Sequence, residues 1–169
     1  MIKGGKGGAN TNLTGLKFEK DTSLAQALSD KGFKITQDEI LSGGRRVGLL
    51  AEKSKLYRFL ESNSVDWQKI ISAKLLPDEA VYSTGSNSMT IVEKKWQEVS
   101  GSVDEKLQTC GFKLRQYRRL LEPIEVRVKY VYLLNDWFAH PRYGDVLEYI
   151  REVGADYHFE SLPLELLEL

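Results

Sequence analysis

The segment from Met89 to Trp96 constrains the fold most strongly, because its alternation changes from apolar to charged within one strand length. Met89, Ile91, Glu93 and Lys95 occupy every second position. Successive side chains of a strand point to opposite faces, so an apolar face ends in a carboxylate and an ammonium group. Burying both groups is costly unless they have partners. The sequence therefore predicts a strand whose last residues form a polar site.

A partner for this pair is predicted upstream, at the start of a neighbouring strand. Residues 79–82 and 89–96 read as two strands joined by the polar segment 83–88, and Pro77-Asp78 directly precedes the first of them. A hairpin of this kind brings Asp78 towards Glu93 and Lys95. Two carboxylates suit Mg²⁺, which prefers oxygen ligands, keeps several waters and bridges to substrate phosphate. Lys95 would position or deprotonate the attacking water and stabilise the developing phosphate charge, as in a phosphodiesterase site.

The remaining periodicity predicts a mixed sheet flanked by helices, an α/β fold in a single domain over residues 14–169. Residues 1–13 are rich in Gly and Asn and are expected to form a flexible arm. A capping box at 102–105 begins a helix whose apolar residues recur at steps of three and four up to Leu121. We expect helices at 14–31, 55–61, 67–74, 103–121 and 143–153, and further strands at 33–36, 47–51, 125–134 and 157–160.

Composition excludes several other classes of protein. Apolar residues make up 41% of the 169 residues and charged residues 28%, which is typical of a soluble globular domain. No run is long enough for a membrane span and no signal peptide precedes the domain, so we expect a cytoplasmic protein without membrane contact. Gly5-Lys6 is followed by Gly7 rather than Ser or Thr, which argues against a nucleotide cofactor. A lone cysteine, Cys110, excludes a disulfide framework.

With these residues in view, the chain resembles the PD-(D/E)XK nuclease superfamily, the restriction-endonuclease-like fold. Pro77-Asp78, fourteen intervening residues and then Glu93-x-Lys95 lie across a predicted hairpin that a helix and another strand follow. The resemblance covers about residues 14–135. The segments 74–80, 93–97 and 101–106 are similar to those of small type II restriction-type members. Each letter of the motif is common, so the specificity comes from the spacing and the strand context.

The resemblance implies a Mg²⁺-dependent DNA endonuclease. Asp78 and Glu93 would be metal ligands, and Lys95 would be the catalytic lysine. Many members add a carboxylate from the helix before the sheet, for which Glu19 is the candidate. Gln97 continues the alternation of Glu93 and Lys95, so we expect it on the same face, where it would orient water or phosphate.

The substrate implied by the resemblance is double-stranded DNA, cut by a homodimer with one active site for each strand. Lys and Arg together equal Asp and Glu at 24 each, so DNA contacts must come from local patches. Phosphate contacts are expected from one helix and base contacts from the arm and a loop, because Asn suits adenine and Arg suits guanine. The phosphate candidates are Lys113, Arg115, Arg118 and Arg119, and the base-reading candidates are Asn10, Asn12, Arg45 and Arg46.

Two alternatives remain open. The same fold would serve a repair or recombination nuclease that recognises DNA structure instead of sequence. A non-catalytic DNA-binding or protein-interaction module, in which the acidic pair is structural, belongs to a different class. Metal-dependent cleavage separates either nuclease from the non-catalytic module. Discrete sequence-specific products separate the restriction-type endonuclease from the repair or recombination nuclease.

Overall fold

A seven-stranded mixed sheet organises the protein in a computed structural model that describes residues 8–99 and 103–169, with side chains for 15–99 and 105–169. The strands follow one another across the sheet in chain order. Pairing is antiparallel from the first to the fifth strand and parallel between the fifth, sixth and seventh. The α/β class expected from the sequence is confirmed.

The helices and strands have the following bounds. The helices are α1 Gly8–Asp21, α2 Leu24–Asp30, α3 Lys55–Ser62, α4 Val103–Lys106, α5 Cys110–Leu121 and α6 Gly144–Glu152. The strands are β1 Lys34–Thr36, β2 Glu39–Ser42, β3 Arg45–Leu50, β4 Glu79–Ser83, β5 Ser88–Lys95, β6 Arg127–Leu134 and β7 Asp156–Phe159.

Helices cover both faces of the sheet and create two hydrophobic layers. Met89 and Ile91 of β5 point into the layer shared with α3, α5 and α6. Val92, one residue further along, points into the layer shared with α1, α2 and the C-terminal segment 162–169. Because β5 is central, seven of its eight residues are buried. Charged side chains at its end therefore lie in a protected environment.

The hairpin and the helix that follows it are the parts that the sequence predicts best. Residues 79–83 of β4 pair antiparallel with residues 88–92 of β5, as the predicted hairpin requires. From Leu107 to Leu121 the predicted apolar stripe is buried, although a 3₁₀ turn over Leu107–Thr109 separates α4 from α5. Ser102 of the capping box lies outside the described residues. The stripe packs α5 over the parallel pair β5 and β6, which places its first turn near the end of β5.

Three sequence predictions are wrong in detail. The single helix expected at 14–31 is two helices, because Ser23 caps α2 and Glu79 accepts hydrogen bonds from the main-chain N–H of Leu24. The helix expected at 67–74 is only a 3₁₀ turn over Trp67–Lys69. Strand β2, which pairs antiparallel with β1 and β3, was not predicted. The Gly43-Gly44 pair that follows it was a signal, because two glycines between strands are typical of a hairpin turn.

Helix α1 crosses the boundary expected between the N-terminal arm and the domain at residues 13 and 14. Within the segment expected to be an arm, residues 8–13 belong to α1, and residues 1–7 lie outside the described part of the chain.

Among the helices that the structure describes, none has the length and apolar composition that a bilayer crossing requires.

Gly48 of β3 gives a test of the sheet packing. A Cβ at this position would fall against the carbonyl oxygen of Tyr82 and 2.6 Å from Cδ2 of Leu169. Gly48→Ala should therefore lower the free energy of unfolding by about 1–3 kcal/mol, the usual cost of overpacking. Gly85→Ala is the matched control, because nothing lies within 4 Å of its added Cβ. Urea unfolding measures both variants, and equal midpoints would contradict the close approach.

Candidate active site

The start of β4 and the end of β5 meet at one edge of the hairpin. Glu79 pairs with Val92, so the same register places Asp78 opposite Glu93. The Asp78 carboxylate accepts a hydrogen bond from the main-chain N–H of Lys94, with Oδ2 and N 2.8 Å apart. This bond orients the carboxylate towards β5, as the hairpin argument expects.

Lys95 connects the two carboxylates. Its Nζ lies 3.2 Å from Oε2 of Glu93 and 3.5 Å from Oδ2 of Asp78. It also donates to the main-chain carbonyl of Lys94 at 2.9 Å. The structure therefore brings together the three residues that the sequence singles out, and their catalytic role stays a prediction.

Lys113 of α5 is a fourth member of this cluster. Its Nζ lies 2.8 Å from Oε2 of Glu93, so that one oxygen contacts two ammonium groups. Lys113 is predicted from the sequence as a phosphate contact, and its position beside Glu93 is not predicted. A signal was present, since Lys113 lies three residues after Cys110 and four before Tyr117, on the edge of the buried stripe.

Glu93 is the most buried charge of the cluster, at 4% exposure. An unpaired carboxylate so deep would be strongly destabilising, and two ammonium partners offset that cost. No described residue donates a hydrogen bond to Oε1 of Glu93 or to Oδ1 of Asp78. Each carboxylate therefore retains one oxygen for an additional ligand.

Three tyrosines form the apolar floor under Glu93. The ring of Tyr130 contacts Tyr117 at 6.1 Å and Tyr132 at 5.3 Å between centroids, and Lys95 Nζ lies 6.0 Å from the Tyr132 ring. Burial raises the pKa of Tyr132 to about 12, and burial together with the charge of Glu93 raises the pKa of Tyr117 and Tyr130 above the ordinary value. The floor therefore stays uncharged at neutral pH.

On the opposite face of β5, Lys94 holds the helical layer against the sheet. Its ammonium group lies 3.1 Å from the Glu79 carboxylate and donates to the main-chain carbonyl of Glu19 at 3.0 Å. Burial raises the pKa of Glu79, although Lys94 acts in the opposite direction. One residue thus links α1 to the strand that presents Glu93 and Lys95.

Glu19 shares a cleft with Asp78 but not with Glu93 or Lys95. It is exposed, and together with Asp78 it lines a cleft of about 550 Å³ between α1, α2 and the start of β4. Within the two described ranges, no three Asp, Glu, His or Cys side chains form a group that could hold a metal ion. A role for Glu19 as a third ligand stays a prediction.

Gln97 contacts Asn135 and Val99 rather than Glu93 or Lys95. The strand β5 ends at Lys95, so the alternation that put Gln97 beside Glu93 does not continue. Its amide Nε2 donates to the main-chain carbonyl of Val99 at 2.6 Å, and the side chain lines a different pocket. The expectation that Gln97 shares the face of the acidic pair is therefore wrong, because the chain leaves the sheet first.

The basic candidates are distributed over two regions. Lys113 contacts the site, whereas α5 leads away from it to Arg127, which pairs with Ser88 at the opposite end of β5. The arginines of α5 are exposed along that path: Arg115, Arg118 and Arg119.

The base-reading candidates are not near the cluster. Arg45 and Arg46 begin β3, whose Gly48 pairs with Ser83 at the far end of β4 from Asp78. At about 3.4 Å per residue, the five residues of β4 alone separate these two ends by roughly 15 Å. The side chains of Asn10 and Asn12 lie outside those that the structure describes.

The donor set fits a divalent metal ion. Asp78 and Glu93 offer one oxygen each without a protein hydrogen bond from the described residues, and hard cations such as Mg²⁺ bind one or two carboxylates together with substrate phosphate and water. Asp78 and Glu93 are the residues that would hold the ion.

Comparisons with known proteins identify a family for the chain. A family model for the PD-(D/E)XK nuclease superfamily domain matches residues 14–112. No curated protein matches the sequence. The crystal structure of an XisH family protein from Nostoc punctiforme PCC 73102 is 17% identical, with 89% of this chain and 93% of that chain covered and a TM-score of 0.40. Because the family match spans more than half of the chain and includes Asp78, Glu93 and Lys95, the protein belongs to the PD-(D/E)XK nuclease superfamily.

Proposed function

We propose that the protein is a divalent-metal-dependent deoxyribonuclease that hydrolyses phosphodiester bonds at Asp78, Glu93 and Lys95. The observation that carries the proposal is the contact of Lys95 with both carboxylates, at 3.2 and 3.5 Å. Asp78 and Glu93 would hold the ion, for which we propose Mg²⁺. When bound, such an ion supplies a Lewis acid and a more acidic water.

Lys95 would act on the phosphate and the attacking water. Its ammonium group is held by the two carboxylates and by the Lys94 carbonyl, so its position is defined before substrate binds. A preorganised cation stabilises the charge that develops on the phosphate without reorganising during the reaction. Lys113, on the same oxygen of Glu93, would orient that carboxylate and leave its second oxygen available to bind the ion.

As a finer proposal, the protein is a restriction-type endonuclease that acts on double-stranded DNA as a homodimer. One chain contains a single cluster of this type among its described residues, so cutting both strands at a symmetric site requires two chains. The arginines of α5 would contact phosphates. Arg45 and Arg46 would contact bases at a distance from the cleaved bond, since they lie at the other end of the sheet.

The first prediction tests the chemistry. Asp78→Asn and Lys95→Ala should each reduce Mg²⁺-dependent cleavage of mixed genomic DNA by orders of magnitude, because they remove a metal ligand and a group that acts on the transition state. DNA binding in Ca²⁺ should survive in both. Asp66→Asn is the control, since Asp66 forms a surface ion pair with Lys69 and should leave cleavage unchanged. Full cleavage by both active-site variants would rule out the mechanism.

The same digests distinguish the finer proposal from its alternatives. Sequencing of the product ends should reveal one recurrent sequence around the cut. Cutting confined to branched or mismatched duplex would favour a structure-specific nuclease, and binding without cleavage in Mg²⁺ would favour a non-catalytic module.

Lys113 gives a separate prediction. Lys113→Met leaves Glu93 with one ammonium partner, so the rate of cleavage should fall by about 10–100-fold, the usual effect of losing a residue that orients a metal ligand. Lys106→Met is the control, because Lys106 is exposed and, among the residues that the structure describes, its hydrogen bonds are made by its main-chain carbonyl. Single-turnover rates measure the difference, and equal rates for the two variants would argue against a role for Lys113.

The arginines of α5 are tested through salt dependence. Arg118→Ala combined with Arg119→Ala should weaken DNA binding for every sequence and flatten the dependence of affinity on salt, because phosphate contacts release counterions. Fluorescence anisotropy over a range of salt concentrations measures both effects. An unchanged slope would show that these exposed arginines do not contact DNA.

A further inference from the structure

A second pocket lies at the carboxyl ends of β5, β6 and β7, apart from the cleft that contains Asp78. Its volume is about 370 Å³, within the range of small-ligand sites. None of its lining residues lines the Asp78 cleft. Two indoles, three carboxylates and an amide contribute to its wall: Trp96, Trp137, Glu98, Asp136, Glu160 and Gln97.

Gln97 supplies a buried acceptor without a partner. The residue is 5% exposed, and its Nε2 donates to the carbonyl of Val99, which settles the orientation of the amide. Its main chain is held by Asn135, through bonds of 3.1 and 2.9 Å. The Oε1 atom has no hydrogen-bond partner among the described residues, so this acceptor is available to a donor from a ligand.

The carboxylates of the pocket lack cations. Glu160 accepts a hydrogen bond from the main-chain N–H of Asp136 at 2.7 Å, which uses one of its oxygens. Glu98, Asp136 and Glu160 form no ion pair within the described ranges, and all three side chains are exposed. No Lys or Arg from those ranges lines the pocket. The surface therefore repels phosphate and attracts a positive group that can donate hydrogen bonds.

The indoles narrow the choice to a planar cation. Trp96 and Trp137 are half-buried and present aromatic surface to the pocket, and Trp137 is held by a bond of 2.6 Å from its Nε1 to the hydroxyl of Tyr143. A guanidinium group stacks on aromatic faces and directs five N–H donors outward in its plane. It satisfies carboxylates and an amide oxygen together, which an ammonium group with three clustered donors does less well.

We propose that this pocket binds the guanidinium group of an arginine side chain presented by a partner protein. The exposed carboxylates make the pocket accessible to a side chain from another surface. An unpaired nucleobase would also stack on the indoles, but its phosphates would approach three uncompensated carboxylates. The proposal does not depend on nuclease activity.

The test is a titration of the full chain with an N- and C-terminally blocked Gly-Arg-Gly peptide, followed by NMR of the indole N–H signals. The signals of Trp96 and Trp137 should shift with a Kd on the order of 1 mM. Trp67, which packs on Tyr57, is an internal control and should not move. The matched peptide with citrulline, a neutral isostere of arginine, should bind at least tenfold more weakly.

Charge variants complete the design. Asp136→Asn combined with Glu160→Gln should weaken binding of the arginine peptide at least tenfold. Glu98→Gln alone should weaken this binding measurably, whereas Asp66→Asn should leave it unchanged. Equal binding of the citrulline peptide, or no shift of Trp96 and Trp137, would overturn the proposal. So would an equal response to spermidine, which indicates a general cation site, or a larger response to single-stranded oligodeoxycytidine, which indicates a nucleobase site.

Discussion

The hydrogen bond between the Asp78 carboxylate and the main-chain N–H of Lys94 is the interaction on which the site depends, because it joins the start of one strand to the end of its neighbour. It forms only if β4 and β5 pair in the observed register. The side chain of Lys94 meanwhile points to the opposite face, where it contacts Glu79 and the main chain of α1. One residue therefore ties the acidic cluster to the helical layer, and a change in either affects the other.

The charges around Glu93 show how a buried carboxylate is tolerated in this fold. Two ammonium groups contact one of its oxygens, while the tyrosine floor adds no charge because burial raises the pKa of its hydroxyls. Buried ion pairs rarely add net stability, since desolvation opposes the Coulomb attraction. Removing a single partner is nevertheless strongly unfavourable. A contribution to folding therefore does not explain the cluster, which agrees with the catalytic role proposed for it.

The sequence predicts the features that depend on local pattern and fails where distant contacts decide. The faces of β5 follow from alternation alone, and Asp78 follows from the adjacent hairpin. The position of Lys113 depends on how α5 crosses the sheet. The stripe from Leu107 to Leu121 predicts which face of the helix is buried, but it does not predict which residues of β5 lie beside each helical turn. Gln97 was misplaced because a strand end cannot be read from alternation. The helix expected at 67–74 fails because Lys74 stacks on Tyr57 and Trp67 and the Tyr57 hydroxyl bonds the main chain of Leu75.

The alternation within β5 limits how chains of this kind can diverge. Inserting or deleting one residue between Ser88 and Glu93 would move every side chain after it to the opposite face of the strand. Lys94 would then lie over the tyrosine floor, where Glu93 and Lys95 lie now. Such an indel would eliminate the cluster and the α1 anchor in one step. The turn at 84–87 lies at the other end of the strand, where Gly85 has open space around it. Evolution can lengthen that turn, or an engineer can graft a peptide into it, while the spacing from Met89 to Lys95 has to be kept.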